Sequence, residues 1–79
     1  MHAPARIDVL LSTLNATDVG TLDSVVEKLS SVKQELLSLG QPALAERTSE
    51  TIEALRRGDV AEFKRGRAFL QSKIGHLRP

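Results

Sequence analysis

The chain has 79 residues, no cysteine, two aromatic rings (Phe63 and Phe69) and a formal net charge of +1. That length allows one domain, 1–79, with a marginal core, since a chain of this size buries only about 60% of its unfolded surface. Disulfides and thiolate metal sites are excluded. His2 and His76 stand near opposite ends, without metal-ligand spacing.

The predicted elements follow from punctuation and apolar spacing. Pro4 suits a first helical position, and Ile7, Leu10, Leu11 and Leu14 recur at helical intervals, predicting a first helix over 4–15. The stretch from Asn15 to Thr21 reads as a loop, with Thr21 or Asp18 as the next N-cap and Asp23 favourably placed at the positive end of the helix dipole. The second helix, over 22–39, has the strongest pattern: Leu22, Val25, Leu29, Val32, Leu36 and Leu39 form one stripe, widened by Val26 and Leu37. Gly40 caps it and Pro42 forbids its continuation.

A third helix is expected from Pro42 to Arg57 with a thin stripe of Leu44, Ile52 and Leu55, and Ala45 and Thr48 between. Gly58 closes it, and Asp59 with Glu62 has the spacing of a capping box. The fourth helix is expected over 60–74, with Val60, Phe63, Leu70, Ile74 and Leu77 on one face. Gly66 falls on that same face. A glycine inside a helix costs about 1 kcal/mol against alanine, so its presence predicts close approach by a neighbouring helix. The short links make sequential helices antiparallel. The expected fold is all-α: a small antiparallel bundle of three principal helices plus a shorter N-terminal one.

Charge is unevenly distributed. Residues 1–55 carry four cations and eight carboxylates, whereas 56–79 carry seven cations and two carboxylates. Lys64, Arg65, Arg67 and Lys73, with Arg56, Arg57 and Arg78, are candidate phosphate contacts. The competing expectation pairs these cations with the ridge Glu46, Glu50 and Glu53, on an adjacent helix or on a second copy. The isoelectric point of about 8.2 lies below that of dedicated nucleic-acid binders. Glu53 and Arg57 have the spacing of a favourable i,i+4 pair.

Other motifs have local explanations. Ala54 and Gly58 have helix-turn-helix spacing, but the later apolar anchor position holds Lys64 and the turn suits an αα-hairpin. Arg57-Gly58-Asp59 matches an adhesion tripeptide, yet each residue also serves a helix end. Asp23-Ser24-Val25 resembles the Asp-Ser-Leu attachment site of acyl carrier proteins, with 22–29 as the matching stretch. That resemblance implies a carrier-type protein modified with phosphopantetheine on Ser24. The basic tail departs from it, and Asp and Ser are ordinary in any first helical turn.

No nucleophile–base arrangement, glycine-rich phosphate loop or cofactor fingerprint is present, so an enzyme is not expected and neither is a cofactor. No apolar run exceeds three residues, as in Val9-Leu10-Leu11, which excludes a membrane span and the apolar core of a signal peptide and makes the cytoplasm the expected compartment. The function expected is a non-enzymatic protein–protein interaction module, an adaptor or a homo-oligomer, acting through the apolar faces of the second and fourth helices. Its candidate contacts are Leu36, Leu37, Phe63, Gly66, Phe69 and Leu70. The alternative is a small nucleic-acid binder using the basic fourth helix.

Overall fold

A computed structural model describes residues 3–18 and 20–77, and side chains at 6–17 and 20–77. Four α-helices appear in order: α1 (Ala3–Asn15), α2 (Leu22–Ser38), α3 (Pro42–Arg56) and α4 (Val60–Gly75). A single 3-10 turn, Ala16–Asp18, extends α1 into the first link. Each helix packs on two neighbours, α1 on α2, α2 on α3, α3 on α4, and α4 back on α1. Among the described residues neither α1 with α3 nor α2 with α4 makes close backbone contact, so the helices form a ring around one apolar centre. The fold is an all-α helical bundle.

The helix ends follow from identifiable residues. Thr21 caps α2, its hydroxyl oxygen accepting the Ser24 amide at 3.2 Å. At the other end the Gln41 amide reaches back to the Leu36 carbonyl at 2.9 Å and the Gly40 amide to Leu37. This pair of hydrogen bonds needs a left-handed residue, which Gly40 supplies at φ +73°. The α3–α4 link repeats the device: Asp59 donates to the Ala54 carbonyl at 2.9 Å and Gly58 takes φ +79°.

Asp59 then caps α4 through the Glu62 amide at 3.0 Å. Only half of the expected capping box forms. The Asp59 amide is already committed to Ala54, so the Glu62 carboxylate is released for other partners. The expected Glu53–Arg57 pair does not form either. Glu53 meets Arg56 at 3.4 Å and Arg57 meets Asp59 at 3.7 Å, because the α3 helix ends at Arg56 and Arg57 turns with the link.

The centre is filled by Ile7, Leu10 and Leu14 of α1, Val25, Leu29, Val32 and Leu36 of α2, and Phe63, Leu70 and Ile74 of α4. Helix α1 is therefore a full member of the bundle. Its Arg6 pairs with Glu35 and donates to the Ser38 hydroxyl at 2.9 Å, and Gln71 of α4 donates to the Asn15 side chain at 2.6 Å. Leu22, expected on the buried stripe of α2, is exposed at the start of the helix, and Leu39 is half-buried.

Helix α3 differs from its expected stripe. It buries Ala45, Thr48, Thr51, Ile52 and Ala54, while Leu44 and Leu55 are half-buried flanks. Thr48 and Thr51 satisfy their hydroxyls on the carbonyls one turn back, Leu44 at 2.8 Å and Arg47 at 2.9 Å, which makes them effectively apolar inward. Against this thin face lies Gly66. A methyl group there would collide with the Thr51 hydroxyl oxygen and stand 3.1 Å from Thr51 Cβ and 3.2 Å from Cγ2, so the expected close approach is made by Thr51.

Candidate interaction surface

The six candidate contacts divide cleanly. Leu36, Phe63, Gly66 and Leu70 are buried in the chain's own centre, where each packs against neighbouring helices. Leu37 and Phe69 remain on the surface, 47% and 41% exposed. The division follows from helical angle: Leu37 and Phe69 each lie about 100° from the middle of their helix's buried stripe. Leu37 lies towards α3 on one side, and Phe69 lies towards α3 on the other. The outer face of α3 separates them.

Phe69 is the centre of the more elaborate surface. The Arg47 guanidinium of α3 stands 5.4 Å from its ring centroid, and the Lys73 ammonium, one turn along α4, stands 5.7 Å away. Both distances are within cation–π range. Arg47 also reaches Glu62 at 3.4 Å and Glu50 at 3.7 Å, crossing the seam between α3 and α4. Glu62 further receives two hydrogen bonds from Arg65, at 3.2 and 2.9 Å. The Arg65 hydrogen bond is the main reason the Glu62 carboxyl is held below its ordinary value, with the charges of Arg65 and Arg47 adding to it and partial desolvation opposing it.

Arg47 is the residue whose role the sequence concealed. Its reach to Glu62 and Phe69 depends on how two helices pack. The carboxylate ridge is where the pattern placed it. Glu46, Glu50 and Glu53 are all exposed on the outer face of α3. With Arg47, Arg57 and Glu62 they line an open polar groove of about 310 Å3. A smaller, more apolar cleft of about 180 Å3 lies between α1 and α2, lined by Val9, Leu10, Thr13 and Val32 and bounded by the Arg6–Glu35 pair.

The candidate phosphate contacts do not form one uniform patch. Arg65 is bound to Glu62, and Arg67 is half-buried with its guanidinium 5.8 Å from the Phe63 centroid. Lys64 and Lys73 are exposed. Lys64 has no hydrogen bond, ion pair or ring contact among the described residues, and the same is true of Glu46. Arg78 lies outside the described residues. Ser24 sits half-buried in the first turn of α2, its amide on Thr21.

No group of His, Asp or Glu is placed to hold a metal ion among the described residues, and no described helix is long and apolar enough to cross a membrane. No protein-family model, curated protein or solved structure matches this chain.

Proposed function

We propose that this chain is a non-enzymatic helical interaction module whose partner is a protein, in the first instance a second copy of itself. The contact centres on Phe69. The observation that carries this reading is the exposure of one of only two aromatic rings at a helix seam, framed by Arg47 and Lys73. Large rings with adjacent arginines are the residues most enriched at the energetic centres of interfaces. Of the buried candidates, Phe63, Gly66 and Leu70 act indirectly by seating α4 beneath the ring, and Leu36 of α2 serves the shared centre.

Size-exclusion chromatography with light scattering and refractive-index detection tests it. The wild-type chain is expected to run above monomer mass, and Phe69→Ala to shift towards monomer with unchanged helicity by circular dichroism. Association that survives the substitution, or loss of helicity together with association, refutes the role given to Phe69.

The second reading, a nucleic-acid contact through Lys64, Arg65, Arg67 and Lys73, is favoured by Lys64 and Lys73 having no carboxylate partner among the described residues. It predicts co-purifying absorbance at 260 nm and affinity that falls steeply with salt. The chain has no Trp or Tyr, so such absorbance stands out.

A further inference from the structure

We infer that α1 is an exchangeable element: in the dimer it docks on α2 and α4 of the second copy, in the groove that the second copy's own α1 fills in the single chain. This deepens the self-association reading by naming the segment exchanged, and it rests on that reading.

The links set α1 apart. The α2–α3 and α3–α4 links are locked by pairs of backbone hydrogen bonds, Gly40 to Leu37 with Gln41 to Leu36, and Gly58 to Leu55 with Asp59 to Ala54. The link 16–21 is longer. Its 3-10 turn is tied to α2 through the Lys28 ammonium, which donates to the Ala16 carbonyl at 3.2 Å. Gly20 takes φ +109° there, and an added methyl would stand 3.2 Å from the Ser24 hydroxyl oxygen. Folding back on α2 therefore depends on glycine, whereas an extended link does not. Extended, six residues reach about 20 Å, twice the spacing of packed helices, so the link can lead α1 onto a neighbour.

The groove under α1 specifies its occupant. Ile7, Leu10 and Leu14 are all buried, and Leu10 lies by Val32 of α2. An undocked α1 leaves two apolar faces in water, its own and that of the groove. The groove takes a helix with large aliphatics at three- and four-residue steps. Polar contacts near both ends fix its direction: Arg6 with Glu35 and Ser38, and Asn15 with Gln71. The α1 of a second copy meets each requirement with identical atoms. Exchange keeps the contacts of α1 with α2 and α4 and changes only which chain supplies them, and reciprocal exchange closes the pair about a two-fold axis. Gln71 meets α1 while Phe69 meets Arg47 of α3, so exchange leaves the ring available for its own contact.

Cross-linking and a link variant test the exchange. The chain has no cysteine, so Asn15→Cys and Gln71→Cys chains each carry a single thiol. Refolded together and treated with a short bismaleimide, they are expected to give 15-to-71 linked pairs well above the background from copies folded separately and mixed briefly. Gly20→Ala strains the folded-back link and not the extended one. It is expected to strengthen dimerisation at least roughly fivefold in sedimentation velocity with interference optics, with helicity retained by circular dichroism. A wild-type dimer that yields the 15-to-71 link only at background, or that Gly20→Ala fails to strengthen, overturns the exchange and leaves the Phe69 contact standing. A chain monomeric at every concentration, with and without Gly20→Ala, overturns exchange and self-association alike.

Discussion

Helix α2 turns Val25, Leu29, Val32 and Leu36 into the centre, whereas α3 turns in Ala45, Thr48, Thr51 and Ala54 with Ile52 as its one large side chain. The two helices are adjacent and similar in length, yet they contribute in opposite ways. Helix α2 supplies volume through large aliphatic side chains. Helix α3 supplies little volume and lets the backbone of α4 come close at Gly66. Burial of large aliphatics is rewarded by transfer from water; close approach of small residues is rewarded by contact density over short distances. A bundle of this size uses both, and they should fail differently when perturbed.

The largest effect is expected on the α2 side. Leu36→Ala removes a fully buried side chain and leaves a cavity among large neighbours, so it should cost about 2–5 kcal/mol, seen as a lower urea midpoint with little change in slope. A cost well under 1 kcal/mol would mean the centre collapses freely around α2 and that the contrast is false.

On the α3 side the informative change adds an atom. Gly66→Ala should raise helix propensity by about 1 kcal/mol but force the Thr51 side chain aside, for a net loss of about 1–2 kcal/mol. Combining it with Thr51→Ala should restore stability and reveal strong coupling between the two sites. Thermal melts of the four species form the cycle. Additive losses would show that close approach is not what Gly66 provides.

The smallest effect belongs to the bridge above that contact. Glu62 has its folded-state carboxyl pKa below the unfolded value, so its contribution is present above the unfolded pKa and is lost as pH falls through the lowered one. Glu62→Gln should lower stability slightly at neutral pH and leave it unchanged in strong acid, so that the acid limb of the stability curve becomes shallower. Melts between neutral and strongly acidic pH would show it. An unchanged acid limb would place the Arg47 and Arg65 contacts outside the stability of the fold.

Much of the architecture was legible from residues that break helices. Gly40, Pro42, Gly58 and Asp59 each act locally, so their consequences could be read without knowing any neighbour. The stripe of α2 was legible because large aliphatics carry a strong periodic signal. The inner face of α3 was not, because alanine and threonine are nearly silent in such a pattern, and the hydroxyls of Thr48 and Thr51 become apolar only once they bond back to the helix. Gly66 could be read as a close approach but not assigned to Thr51. For the surface, the angle of Phe69 was readable and so was the ridge of Glu46, Glu50 and Glu53. The convergence of Arg47, Glu62 and Phe69 was not, since it is created by the pairing of two helices. Leu36, Phe63 and Leu70 were offered as contacts because a pattern marks an apolar face without saying whether the same chain covers it.

The attachment of α1 has a kinetic consequence. Helices α2, α3 and α4 are joined by tight glycine turns, so their pairings close over short stretches of chain. The α1–α4 pairing, which includes Asn15 with Gln71, closes over most of the chain's length. The entropy of closing a loop grows with its length, and long closures are deferred until shorter ones have formed. The three-helix hairpin series should therefore assemble ahead of α1, which docks last onto a surface the others have already shaped. In the native state the same hierarchy should run in reverse: the amides of α1 are expected to be the first to trade their hydrogens with solvent, through openings that leave the rest of the ring closed.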